Sequence, residues 1–354
     1  MYNSIKSRLL PVFLATLSGV ALAQVTEVFS LEHDIKTGLD NSLMRVDDDT
    51  YVLAYRGNGN DGWITTFTIP ADGSSITEVF SLEHDTGTGT FSSLVRVDDD
   101  TYALAYTSGH NDGFIKTFTI PADGSSITEV FSLEHDTAYG VNNSLVRVDD
   151  DTYALAYRGP GHDGYIKTFT IPADGSSITE VFSLEHDTQY GSGNSLVRVD
   201  DDTYALAYKG PEDDGWITTF TIPADGSSIT EVFSLEHDTQ YGSGNSLVRV
   251  DDDTYALAYR GLEDDGYIKT FTIPADGSSI TEVFSVEHDT LIGTHNSLVR
   301  VDDDTYALAY GGLDNDGFIK TFTIAGSNTN QPTVTSAPTV TTIEDTEYTF
   351  GTLF

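Results

Sequence analysis

Residues 178–222 read ITEVFSLEHDTQYGSGNSLVRVDDDTYALAYKGPEDDGWITTFTI, and the alternation within this stretch decides the fold. Side chains of an extended chain repeat every second residue, so Ile178, Glu180, Phe182, Leu184 and His186 share one face of a first strand. The run 195–199 (SLVRV) is a second, β-branched strand. In the third, Tyr204, Leu206 and Tyr208 lie on one side. The fourth, 216–222 (WITTFTI), is aromatic and β-branched. Turn formers separate them: Asp200–Asp202, the run 210–215 (GPEDDG) and the run 223–228 (PADGSS). No segment carries helical periodicity.

Outward from this stretch, the same unit recurs. The triplet Glu-His-Asp places histidines at His33, His84, His135, His186, His237 and His288, each 51 residues after the last. Aromatic and aliphatic residues occupy both faces of every four-stranded unit, and stacking around an axis buries both. A linear array would leave its two end sheets bare. The expected fold is therefore all-β: a six-bladed β-propeller of four-stranded antiparallel blades over residues 24–326.

The layout resembles that of WD-repeat propellers, with Glu-His-Asp in place of the Gly-His pair and Asp214-Gly215 at the turn into the next strand; the Trp-Asp dipeptide is absent. The resemblance implies a strand order in which Val25–His33 lies outermost on the blade before the first complete one. The last copy ends at Phe318–Ile324, so these two segments are expected to pair and close the ring.

The chain has 354 residues, 17 Lys+Arg against 56 Asp+Glu, a formal net charge of −39 and no Cys. Such charge disfavours nucleic acid and anionic membrane partners, and the lack of Cys excludes disulfides, thiolate metal sites and a cysteine nucleophile. Residues 1–23 read as a cleaved export signal: Lys6 and Arg8, an apolar run from Leu9 to Val20, then Ala21-Leu22-Ala23. A secreted or cell-surface, monomeric protein without a membrane span in the mature chain follows as the expectation. Residues 327–342, rich in Thr, Ser, Asn and Pro, read as a linker. The stretch 343–350 (IEDTEYTF) resembles the opening of the cadherin-like and immunoglobulin-like modules of bacterial surface proteins, which implies that residues 343–354 begin a further module.

Several residue sets are candidates for chemistry. The six histidines could be ligands or bases, but sixfold repetition favours a structural role. They are expected to pair with the Asp of the Asp-Gly turns: Asp61, Asp112, Asp163, Asp214, Asp265 and Asp316. The Asp triplets, led by Asp47, Asp98, Asp149, Asp200, Asp251 and Asp302, form an acidic rim that could bind calcium weakly, although the spacing is not that of an EF-hand. A repeating arginine on the innermost strand (Arg45, Arg96, Arg147, Arg198, Arg249, Arg300) is expected to pair with nearby acids. No other cofactor is indicated.

The copies differ chiefly in two loops, one after Glu-His-Asp and one before Asp-Gly, which open on the same end of the propeller. That end carries Phe91, His110, Tyr139, His162, Tyr190, Tyr241 and His295, a set suited to polar recognition of a glycan or protein. The chain carries no G-x-S-x-G elbow, H-E-x-x-H motif, phosphate loop or sialidase Asp box. The expectation is a non-enzymatic binding or adhesion module of a larger surface protein; the alternatives are a secreted hydrolase or lyase acting on polysaccharide, and an acidic structural spacer.

Overall fold

The computed structural model describes residues 28–313 and 316–326. Six antiparallel sheets follow one another along the chain, with their first strands packed side by side around a central axis: a six-bladed β-propeller, as expected. Blade 1 shows the plan, with strands Leu39–Arg45, Thr50–Arg56, Gly62–Thr68 and Thr77–Asp85 running from the axis outward. Blades 2 to 5 repeat it. Blade 6 has three strands among the described residues: Thr294–Arg300, Thr305–Gly311 and Gly317–Thr323. The export signal, the linker and the module-like tail lie outside the described residues.

Each blade has a face of small residues and a face of large ones. Between blades 3 and 4, Val148, Ala154, Ala156 and Ile166 meet Leu196, Tyr204, Leu206, Tyr208 and Phe220. The alanines leave the volume that the tyrosine rings of the next blade fill, so the seam is dry and close-packed. Polar latches cross it as well. Leu196 N–H donates to Ser144 Oγ at 3.0 Å, Thr168 Oγ1 donates to the Gly226 carbonyl at 2.7 Å, and Arg198 donates to the Val148 carbonyl at 3.3 Å.

The seam between blades 6 and 1 differs. Leu43 is 61% exposed and Ile319 62%, whereas Leu196, the counterpart of Leu43, is 3% exposed. The described part of the expected closing strand, Val28–His33, lies against blade 1. His33 meets the Tyr55 ring edge-on at 4.6 Å, as His84 meets Tyr106 at 4.7 Å. Among the described residues no ladder joins it to Gly317–Thr323; residues 25–27 lie outside them. The described part of this run meets the following blade through the His33–Tyr55 contact.

Candidate functional site

Antiparallel alternation sends two connections per blade to the same end: the link between blades, and the link between the second and third strands. The second is a short turn, Pro160–His162 in blade 3, Pro211–Asp213 in blade 4 and Leu262–Asp264 in blade 5. The first carries Tyr139, Tyr190 and Tyr241. The second strands of the same blades end in Arg158, Lys209 and Arg260.

These side chains interleave across blades 3 to 5. The Arg158 guanidinium stands 4.9 Å from the Tyr139 ring and 5.8 Å from the Tyr190 ring, and donates hydrogen bonds to both phenol oxygens. Lys209 stands 4.7 Å from Tyr190 and 5.5 Å from Tyr241, and Arg260 stands 5.0 Å from Tyr241. His162 meets Tyr139 edge-on at 5.5 Å and lies 6.1 Å from Tyr190. The result is a ladder of alternating aromatic and cationic groups, each contact favourable because a cation sits over a ring face. Burial resists ionisation of the Tyr190 phenol, but Ser192, Lys209 and Arg158 together hold it below the ordinary tyrosine range. Burial likewise disfavours the Lys209 ammonium, yet Asp213 and the two flanking phenols keep it above the ordinary lysine range.

Beside the ladder lies the mouth of the axial channel. The second residue of each innermost strand has a left-handed backbone: Asp40, Phe91, Asn142, Gly193, Gly244 and His295, with φ between 53° and 62°. A β-bulge at this point shifts the register against the second strand. A Cβ on Gly193 would stand 3.3 Å from the Gly244 nitrogen, which shows how closely these positions circle the axis. Phenylalanine seldom adopts this conformation, and such strain gathers at functional sites. Four of the six positions carry a side chain and two are glycine, so the mouth lacks the symmetry of the blades beneath it.

The structure brings Tyr139, His162, Tyr190 and Tyr241 into one group and sets Phe91 and His295 in the mouth. His110 stands apart on the blade 2 turn with a left-handed backbone. Sequence reasoning missed Arg158, Lys209, Arg260, Asp40 and Asn142. The signal was present, since all five fall in or beside the loops where the copies differ.

The histidine–aspartate pairing is corrected. His84, His135, His186, His237 and His288 are buried with both ring nitrogens lacking a hydrogen-bond partner, and the Nδ1 of His33 also lacks one. Glu185 and His186 are adjacent and so face opposite sides of their strand. Asp163 accordingly stands beside Glu185, as Asp214 does beside Glu236 and Asp265 beside Glu287, and burial together with the neighbouring carboxylate raises each glutamate above its ordinary range. Asp61, Asp112 and Asp316 likewise have no histidine hydrogen bond among the described residues. The ring instead packs edge-on against Tyr208 and Phe220. Its other neighbour is Gly164, where an added Cβ would lie 2.5 Å from the imidazole. Burial lowers His84, His135, His186 and His237 to about 3 and His288 to about 4. These groups are neutral packing elements.

The calcium expectation gains no support from the side-chain arrangement. Among the described residues no group of three or more His, Asp or Glu side chains is arranged to hold a metal ion. At the triplets the backbone does the binding. Arg198 donates to the carbonyls of Asp200 (3.0 Å) and Asp201 (2.9 Å) and, at 3.4 Å, to the solvent-exposed Asp201 carboxylate. A hollow of about 530 Å³ at this end is lined by Arg45, Asp47, Asp48, Arg96 and Asp99. Its arginines already serve carbonyls, so the uncommitted chemistry lies at the opposite, loop end. Among the described residues no helix is long and apolar enough to cross a membrane.

No family model matches the chain, and no curated protein matches it. Solved structures do. The chain is similar to a periplasmic gluconolactonase of Pseudomonas aeruginosa, with 15% identity and a TM-score of 0.61 over 78% of each chain. It is similar to a protein of Bacteroides fragilis assigned as a 6-phosphogluconolactonase, with 17% identity and a TM-score of 0.60 over 80% of this chain and 79% of that one. A Bacteroides uniformis protein with the same assignment matches at 12% identity and a TM-score of 0.62 over 84% of each. At these identities the likeness establishes the propeller fold. The expectation of a non-enzymatic adhesion module is corrected here: the similar propellers are named as lactonases.

Proposed function

We propose that this protein is an exported hydrolase that opens a sugar-derived lactone at the loop end of the propeller. The observation that carries the reading is the asymmetric cation–aromatic ladder beside the channel mouth, on a scaffold otherwise repeated six times. Catalysis needs one constellation rather than six, and this end supplies it. His162 and Lys209 both flank Tyr190. Water adds to the lactone carbonyl carbon while its proton passes to the His162 imidazole, and the Lys209 ammonium balances the charge developing on the carbonyl oxygen. The ring C–O bond then breaks, and the leaving oxygen takes the proton back, yielding the hydroxy acid. Export through residues 1–23 agrees with this reading, since one similar protein is periplasmic.

The test is hydrolysis of D-glucono-1,5-lactone and related aldonolactones, followed by proton release. Turnover above the spontaneous rate is expected, with a loss of about 100-fold in His162→Gln and a comparable loss in Lys209→Ala. Rates equal to the spontaneous reaction across the panel would overturn the reading.

A further inference from the structure

Blades 3, 4 and 5 differ in one telling respect at the ladder. In blade 4, Lys209 donates to Asp213 at 2.7 Å, and in blade 5 Arg260 pairs with Asp264, each partner four residues on. Arg56 of blade 1 likewise pairs with Asp40 at 3.3 Å. In blade 3 the residue four after Arg158 is His162, in the turn Pro160-Gly161-His162 where blade 4 has Pro211-Glu212-Asp213. Both acids of that turn are replaced. Among the described residues Arg158 has no carboxylate partner, although its buried Nε lacks a hydrogen bond just as that of the ion-paired Arg260 does. In a chain of net charge −39, a guanidinium kept clear of the surrounding acids is notable.

What surrounds Arg158 also matters. It donates to the phenol oxygens of Tyr139 and Tyr190, which therefore act as acceptors towards it. Each phenol keeps its own O–H to donate elsewhere. The site thus offers two hydroxyl donors and the remaining guanidinium N–H groups, with a fixed positive charge held between two rings. A carboxylate, which only accepts, matches this set, and charge-assisted hydrogen bonds of this kind are the strong ones.

We infer that Arg158, Tyr139 and Tyr190 form a subsite for the carboxylate of an acidic sugar, so that uronic- or aldaric-type lactones are preferred over the neutral aldonolactones. This deepens the proposed hydrolytic reading and rests on it for the word substrate, but the binding itself is independent of turnover. Arg158 acts here as a specificity-determining residue.

Calorimetric titration with D-glucuronate, which carries no lactone to hydrolyse, tests it on the full chain. Glucuronate is expected to bind, and D-glucose, acetate and inorganic phosphate to bind at least about tenfold more weakly. Arg158→Gln should weaken glucuronate by about tenfold or more. His162→Asp should do the same by restoring the acid that Lys209 and Arg260 have, in a turn that blades 4 and 5 already fold around. Asp213→His, which frees Lys209 in the same way, should strengthen binding or add a second event. Melting temperatures close to that of the parent would certify that each variant is folded. Equal binding of glucose and glucuronate, or unchanged binding in both Arg158→Gln and His162→Asp, would overturn the subsite. Acetate or phosphate binding as well as glucuronate would overturn its assignment to a sugar acid. If aldonolactones turn over while glucuronate fails to bind, only the subsite falls; if glucuronate binds while no lactone turns over, only the hydrolytic reading falls.

Discussion

An imidazole repeats at every blade seam, wedged between a tyrosine edge and a glycine Cα, with no room for a side chain between them. Burial holds His84, His135, His186 and His237 neutral down to about pH 3, against an ordinary value of 6.5. Between those limits the unfolded chain binds protons that the folded chain refuses. Stability is thus fully present above pH 6.5 and is lost as pH falls from 6.5 towards 3, by about 1.4 kcal/mol per pH unit for each such ring. The urea midpoint should be level between about pH 7 and 9 and fall steeply below 6.5; His186→Leu should make the fall shallower. A midpoint unchanged down to about pH 4 would contradict this account. Arg158 shows the other side of reading single residues. Nothing in its type separates it from Arg260; only the missing acid four positions later does, and that is visible solely by comparing copies.

The blade is the unit of cohesion, with a small-residue face set against a large-residue face across five equivalent seams. Leu196→Ala, inside a closed seam, should cost about 2–5 kcal/mol through lost contact and a residual cavity. Leu43→Ala removes the same atoms at the open seam between blades 6 and 1 and should stay within about 0.5 kcal/mol. Chemical denaturation of the two variants measures the difference directly, and equal losses would mean that Leu43 is covered in solution. The four strands of each unit were legible from period-two alternation and turn residues. Pairing of the N-terminal run with blade 6 was read from register alone; the described part of that run meets blade 1 through His33 and Tyr55.

On the scale of the whole molecule, a charge of −39 on one compact body repels itself, and the middle carboxylate of each triplet meets its arginine only in solvent-exposed pairs. Dissolved salt screens that repulsion, so the melting temperature should rise between about 10 mM and 500 mM sodium chloride. A flat response would show that local pairing neutralises the acidic end. Blade number, strand composition and the end at which the variable loops emerge were all determined by the sequence, because repetition and side-chain alternation are properties of the chain itself. Which variable residues touch, that the histidines shun their aspartates, and that Arg158 is held by two phenols were decided only by the tertiary structure. Those facts depend on where neighbouring blades bring residues that are 19 to 52 positions apart along the chain, and no local pattern encodes that juxtaposition.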